Sequence, residues 1–337
     1  MSEAFEKVRA ALVGCGGYSE GWGQPALERT GLYEVVACYD PSREAAERAA
    51  GRFGARVCGS LEEALGTAGV EAALLMTPNP VHREQAEAAF GAGKHVFVEK
   101  PMANTTAECR AMIGAAEGAG RVLMVGHMTR RYPAFRLLAE ALKSGRMGRP
   151  VGGEAHFSHE GGKQLPREAW RADPAKCPGL PLNVIGCHLV DVLNMLLGRP
   201  HKAAAFHRRA TVPTNDDCTV TILAYDDPVT ATVVSYYSVP QVHVVRLACT
   251  DLVGEVTGGG GRFVLRTTKK VVEEKEFTRP HGAAEEEFRE FARAVRLGAA
   301  VETDGQCGLA TVAVTEASVI SAREGRFVDV DELARGG

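Results

Sequence analysis

Five short apolar runs punctuate the first 125 residues, and their texture restricts the possible folds more than any other feature of the chain. Val8–Val13, Glu34–Tyr39, Glu71–Met76, His95–Val98 and Val122–Val125 are rich in Val, Ala and Leu, and their apolar residues are continuous rather than alternating. Strands covered by helices on both faces read this way. Between them Ser42–Phe53, Pro80–Ala92 and Thr106–Ala119 have helical periodicity. Asn79-Pro80 gives the second of these a start signal, with Asn as N-cap and Pro at the first helical position. The βαβα order predicts a parallel sheet with right-handed crossovers.

Beyond Gly126 the texture changes. One more helix is expected over Pro133–Ser144, ending at Gly145. Val151–His159, Ala203–Ala210, Cys218–Ala224, Thr230–Ser238, Val244–Thr250, Glu255–Thr257, Phe263–Thr267 and Val271–Phe277 then read as successive strands of an antiparallel sheet. Several alternate apolar and polar residues, as in Thr219-Val220-Thr221-Ile222, so one face stays solvated or meets a partner. Helices are expected over Ile185–Leu197, Glu285–Leu297 and Gly308–Glu324. A chain of 337 residues is too long for one ordinary core. The break near residue 125 predicts two domains, 1–125 and 126–337, and Gly258–Gly261 reads as a flexible turn.

Composition narrows the partners. A formal net charge of −3 with interspersed signs argues against nucleic acid, which selects for a basic excess. No run approaches the roughly 18 apolar residues that cross a bilayer, and the first strand is not preceded by a signal-type apolar stretch. A cytoplasmic protein is expected. The nine cysteines are scattered with no CxxC pair, which fits thiols in a reducing compartment rather than a metal site.

The chemistry concentrates where strands end. The first strand runs into Gly14-Cys15-Gly16-Gly17-Tyr18-Ser19, a loop whose glycines permit a tight turn and let backbone amides approach a pyrophosphate at a helix N-terminus. Ser19 stands where a third Gly or Ala is usual, which loosens the expected helix–strand packing. Asp40 closes the second strand, where a carboxylate can accept both adenosine ribose hydroxyls and would repel a 2′-phosphate. It can also cap the helix beginning near Ser42, and nearby Arg43 could offer a phosphate a partner. NAD is therefore expected over NADP. Thr77-Pro78-Asn79-Pro80-Val81-His82 follows the third apolar run and would lie beside the nicotinamide half. Glu99-Lys100-Pro101 follows the fourth, and its proline implies a fixed turn, with a cis bond one option, that aims the lysine. In the second half His188 and Asp191 are three apart on one helix face.

Together these motifs resemble the Gfo/Idh/MocA family of NAD(P)-dependent sugar and cyclitol oxidoreductases. The likeness spans nearly the whole chain. It includes the glycine loop, Thr77–His82 as TPxxxH, Glu99-Lys100-Pro101 as EKP, Gly126-His127 with Arg130, Trp170–Pro174, Gly186–Asp191 and the Glu286–Phe291 helix. The resemblance implies an α/β protein: an N-terminal Rossmann dinucleotide-binding domain plus a C-terminal α/β domain with a large, mostly antiparallel open sheet. That sheet commonly pairs with another subunit, implying a homo-oligomer, dimer or tetramer. By resemblance, NAD is held by Gly14, Gly16, Gly17, Tyr18, Asp40, Arg43, Thr77, Asn79, His82, Glu99 and Lys100. The substrate is held by Lys100, Arg130, Trp170, Arg171, Asn183, His188 and Asp191, with Lys100 and His188 catalytic and no metal.

The implied reaction moves hydride between nicotinamide and a secondary hydroxyl or carbonyl of a sugar, sugar derivative or cyclitol. His188 would take the hydroxyl proton, and Lys100 would stabilise the developing alkoxide or carry the proton itself. Arg130, Arg131, Lys163 and Arg171 hint at an anionic or heavily hydroxylated substrate. One departure matters. Many members carry Asp four residues before the histidine; here that position is Val184, with Asn183 one residue earlier, and the usual Gly-Gly-Gly lead-in is Gly179-Leu180-Pro181. The carboxylate is absent or comes from elsewhere, such as Asp191. Two alternatives remain open: a glycosidase-type member that retains its NAD, and a non-catalytic NAD-binding sensor.

Overall fold

The five continuous apolar runs become five strands of a six-stranded parallel sheet in the computed structural model, which describes residues 5–226, 228–278 and 282–336. Strands β1 (Val8–Val13), β2 (Tyr33–Tyr39), β3 (Arg56–Val57), β4 (Ala72–Leu75), β5 (His95–Val98) and β6 (Leu123–Val125) lie in the order β3-β2-β1-β4-β5-β6. Every pairing is parallel. The order reverses direction between β1 and β4, and sheets of this kind bind ligands outside the carboxyl ends of the strands at such a switch point. Ala10, Leu12, Ala72, Leu74 and Phe97 are fully buried, as strands between two helical layers must be. The two-residue β3 and the helix Leu61–Leu65 escape sequence reading because neither is long enough to show a period.

Two expectations need correction here. Asn79 does not cap the following helix with its side chain: Asn79–Val81 form a 3₁₀ turn, the α-helix runs His82–Gly91, and Asn79 is drawn inward to 3% exposure. Nor does the chain divide once near residue 125. The described residues up to Ala103, Ala107–Met128 and the described stretch ending at Gly308 form one compact unit; Asn104–Thr106, the stretch from Thr129 and the chain from Leu309 form the other. The helix Ala283–Leu297 returns to the first unit, where Phe97 packs on Phe288 and Phe291 with ring centroids 4.8 and 5.9 Å away. The Tyr33 hydroxyl donates to the Phe288 carbonyl at 2.6 Å. Amphipathic periodicity announces that this helix needs a partner surface, not which surface it finds.

The second unit holds a nine-stranded sheet. Its strands are β7 (Pro150–Ser158), β8 (Lys202–Arg208), β9 (Cys218–Ala224), β10 (Thr230–Tyr236), β11 (His243–Cys249), β12 (Val253–Thr257), β13 (Arg262–Arg266), β14 (Val271–Glu276) and β15 (Val328–Asp329). They lie in the order β14-β13-β12-β11-β7-β10-β9-β8-β15, parallel only between β7 and β10. One face forms a core in which Val233, Val245, Leu247 and Leu265 pack with Leu138, Leu189, Leu193 and Val314. The period of two turns the intervening residues to the opposite face. There register aligns Phe206, Val220, Val234, His156 and Val244 across five adjacent strands, and Phe206 is 65% exposed. Among the described residues no helix is long and apolar enough to cross a membrane.

Candidate active site

In the first unit, β1 ends in a loop shaped by close backbone approach. Gly14 has φ +89°, and a Cβ there would fall 2.6 Å from the Met76 backbone. Only glycine tolerates both. A Cβ on Gly16 or Gly17 would instead project into open space, which is the cradle a pyrophosphate needs. Glu20 N–H donates to the Gly16 carbonyl at 2.9 Å, so a helix starts at the loop. Ser19 is buried and accepts from Gln24 Nε2 at 3.2 Å, and Ser19–Gly23 widen into a π-turn before the helix Gln24–Thr30. The residues therefore suit a dinucleotide.

Asp40 serves the loop as well as any ligand. Its Oδ2 accepts the Cys15 N–H and its Oδ1 the Ser42 N–H, each at 2.8 Å. Each carboxylate oxygen has a second lone-pair site, so two acceptor positions remain for ribose hydroxyls. Arg43 is exposed and pairs with Glu47 at 2.8 Å along its own helix. An exposed pair of this kind is weak.

The EKP segment lies at the carboxyl end of β5, and the Lys100-Pro101 bond is cis. Glu99 is 5% exposed and its Oε2 accepts the Lys100 N–H at 3.1 Å. Burial pushes the Glu99 carboxyl up to about 7, against the Lys100 ammonium and Tyr18 hydroxyl, which favour its ionised form. A Cβ on Gly126 would come within 3.0 Å of Glu99 Oε1, which explains the glycine after β6. Tyr18 is half-buried, with its hydroxyl 4.0 Å from the Met128 sulfur. Thr77 donates to Gln85 Oε1 at 2.6 Å.

His82 is corrected from cofactor ligand to backbone staple. It has no exposed surface, its Nε2 lies 2.8 Å from the Thr77 carbonyl, and its Nδ1 lies 3.1 Å from the Pro101 carbonyl. Burial pushes the imidazole below its usual range, against the Thr77, Pro101 and Met102 carbonyls, which favour its charged form. It ties the end of the β4 segment to the turn that carries Lys100.

In the second unit the helix Cys187–Leu197 presents His188, which is half-buried. Thr129 Oγ1 lies 3.0 Å from His188 Nδ1, and the Phe157 ring flanks the imidazole at 6.3 Å. Phe157 in turn stacks on His243 at 4.2 Å. Asp191, offered as the replacement carboxylate, is fully buried: Arg130 donates to it from Nε at 2.9 Å and Nη2 at 2.5 Å. Neither group is a surface for substrate. Asn183 is also buried and donates to Asn104 Oδ1 at 3.3 Å. Trp170 and Arg171 are half-buried and stack at 4.8 Å, and Asn215 Nδ2 pins their loop through the Arg171 and Cys177 carbonyls.

The first unit thus gathers Gly14, Gly16, Gly17, Tyr18, Asp40, Glu99 and Lys100 at strand ends, while the second gathers Thr129, Phe157 and His243 around or beside His188. Sequence reading missed those three. Thr129 adjoins Arg130 of a recognised motif, which is the one signal that could have found it; Phe157 and His243 sit on strands with no motif.

Residues 8–127 match the oxidoreductase family with the NAD-binding Rossmann fold, and residues 135–264 match the GFO/IDH/MocA C-terminal domain. The chain is 27% identical to D-apiose dehydrogenase of Paraburkholderia graminis, over 97% of this chain and 91% of that protein. It is 29% identical to a D-xylose 1-dehydrogenase (NADP(+)) of Haloferax volcanii, over 81% of this chain and 84% of the other. The solved structure of an oxidoreductase from Thermotoga maritima superposes with a TM-score of 0.87 at 25% identity, covering 97% of this chain and all of that one. Two domain matches in order, together with a nucleotide-type strand order and a mostly antiparallel second sheet, establish that this chain belongs to the Gfo/Idh/MocA family of oxidoreductases.

Proposed function

We propose that this enzyme moves hydride between NAD and a secondary hydroxyl or carbonyl of a sugar or cyclitol, in the cytoplasm. The observation that carries the reading is Lys100, fixed through its backbone to buried Glu99 at the carboxyl end of β5. The nicotinamide, when bound, supplies the hydride acceptor or donor. Gly16 and Gly17 leave the cradle for its phosphates, and Asp40 keeps acceptor sites for its adenosine ribose. Lys100 stabilises charge on the substrate oxygen, and His188 takes or returns the hydroxyl proton. Relatives named for D-apiose and D-xylose support a sugar substrate.

NAD is expected to bind more tightly than NADP by roughly ten- to a hundredfold, because a 2′-phosphate beside Asp40 meets like charge. Calorimetric titration of both dinucleotides checks this, and tighter NADP would mean that Arg43 leaves Glu47 for the phosphate. Reduction of either dinucleotide by D-apiose, D-xylose or myo-inositol tests the reaction itself; inactivity on all three would count against it.

A homo-oligomer is expected through the outer face of the nine-stranded sheet. Val234 and Tyr236 lie on that face with Phe206 and Ile222, whereas Val233 and Tyr237 are buried. Exposed Phe206 and Ile222, beside half-buried Val220 and Val234, make an apolar patch of the kind that marks an interface. Light scattering that returned the 35.9 kDa particle at micromolar concentration would refute it.

A further inference from the structure

Thr129 belongs to none of the sequence motifs, yet it is 2% exposed and its Oγ1 lies 3.0 Å from His188 Nδ1. One helical turn before His188 stands Val184, which packs among Leu180, Ile185 and Tyr237 and has no polar side-chain atom to offer the ring. A separate segment therefore supplies the hydrogen-bonding group that this position of the chain lacks. The next residue grips the same helix again, since Arg130 holds Asp191, three residues beyond His188. Residues three apart share a helix face, so two consecutive residues fix two points of one face. Phe157 flanks the ring.

We propose that Thr129 is a positioning residue for His188, holding Nδ1 so that Nε2 is presented to the substrate hydroxyl. The proposal rests on His188 as proton carrier in the reaction proposed above. To take a proton at Nε2, the neutral ring must carry its hydrogen on Nδ1, which then donates to Thr129 Oγ1. The imidazolium formed keeps that bond. When Nδ1 is bare, the threonine hydroxyl rotates and donates to it instead. A hydroxyl thus keeps the ring plane in every protonation state, which an ionised carboxylate, an acceptor only, cannot do. Being neutral, it supplies orientation without the charge stabilisation that a carboxylate lends an imidazolium.

The test uses the full-length enzyme labelled with ¹⁵N-histidine, with the His188 ring signals identified by their loss in His188→Asn. Thr129→Val should change the tautomer ratio of His188 and shift its titration, while Thr129→Ser keeps both close to those of the parent. With NAD and the best-oxidised of D-apiose, D-xylose and myo-inositol, Thr129→Val should lower kcat about tenfold or more, the scale of one oriented hydrogen bond. KM for NAD should not move, and Thr129→Ser should recover most of the loss. In the His188→Asn background Thr129→Val should cost nothing further, because it acts through the ring. An unchanged ring spectrum and kcat in Thr129→Val would overturn the proposal. So would an equal loss in both backgrounds, the mark of a purely structural residue. If Thr129→Val melts before assay, Thr129→Ala takes its place in every arm. The ring spectra need no substrate, so inactivity on all three polyols would overturn the proposed reaction while the spectra still decide on Thr129.

Discussion

Lys100→Met should lower turnover about a hundredfold or more while NAD affinity stays near that of the parent. A positioned charge or proton partner is worth that much at an active site, and methionine keeps the length of the side chain. The variant also has a second signature. Burial already pushes the Glu99 carboxyl up to about 7, and the Lys100 ammonium works against that rise. Without the ammonium, Glu99 should titrate higher still. The sign follows from linkage: a carboxyl more basic in the folded chain than its ordinary value of 4.5 favours folding at low pH. That contribution is lost as pH rises toward the folded value. Parent and variant should therefore melt alike near pH 5 and part above pH 7, the variant falling further. His188→Asn should show a comparable kinetic loss with the pH dependence of melting unchanged from the parent. Full activity in Lys100→Met would remove the lysine from the mechanism, and an unfolded variant at pH 5 would make it structural.

The elements that sequence reading found share a property: each carries a period longer than its own irregularities. Val8–Val13, His95–Val98 and Cys218–Ala224 were legible to the residue because buried strands need continuous or alternating apolar positions and little else. The two-residue β3 and β15 carry no period, and only their neighbours in the sheet define them. The return of Ala283–Leu297 to the first unit was invisible for a different reason. Its apolar stripe of Phe288, Phe291 and Ala292 is complementary to more than one surface, and contacts distant in sequence decide between them.

The site was legible where chemistry constrains the backbone and illegible where it constrains only side chains. Gly14 could be read because the turn after β1 demands a positive φ and leaves no room for a Cβ against the Met76 backbone. Lys100 was marked by the proline after it. Asp191 and His82 were misjudged because residue type does not reveal burial: one is enclosed by Arg130, the other by three backbone carbonyls.

Asp191→Leu should therefore act on stability first. It leaves the Arg130 guanidinium, 6% exposed, without the carboxylate that accepts from its Nε and Nη2. Breaking a buried pair by removing one partner costs about 3–5 kcal/mol, since the remaining charge stays desolvated. In a unit of this size that corresponds to a melting temperature lower by roughly 10 °C. Arg130→Met combined with Asp191→Leu removes both charges and should restore much of the loss, because the desolvation penalty goes with them. Turnover of Asp191→Leu, measured well below its melting temperature, should stay within about tenfold of the parent, the loss of one orienting contact beside His188. Calorimetric melting of the two variants checks the energetics. A melting temperature unchanged in Asp191→Leu would mean that water reaches the pair, and a turnover collapse in a well-folded Asp191→Leu would return the aspartate to the chemistry.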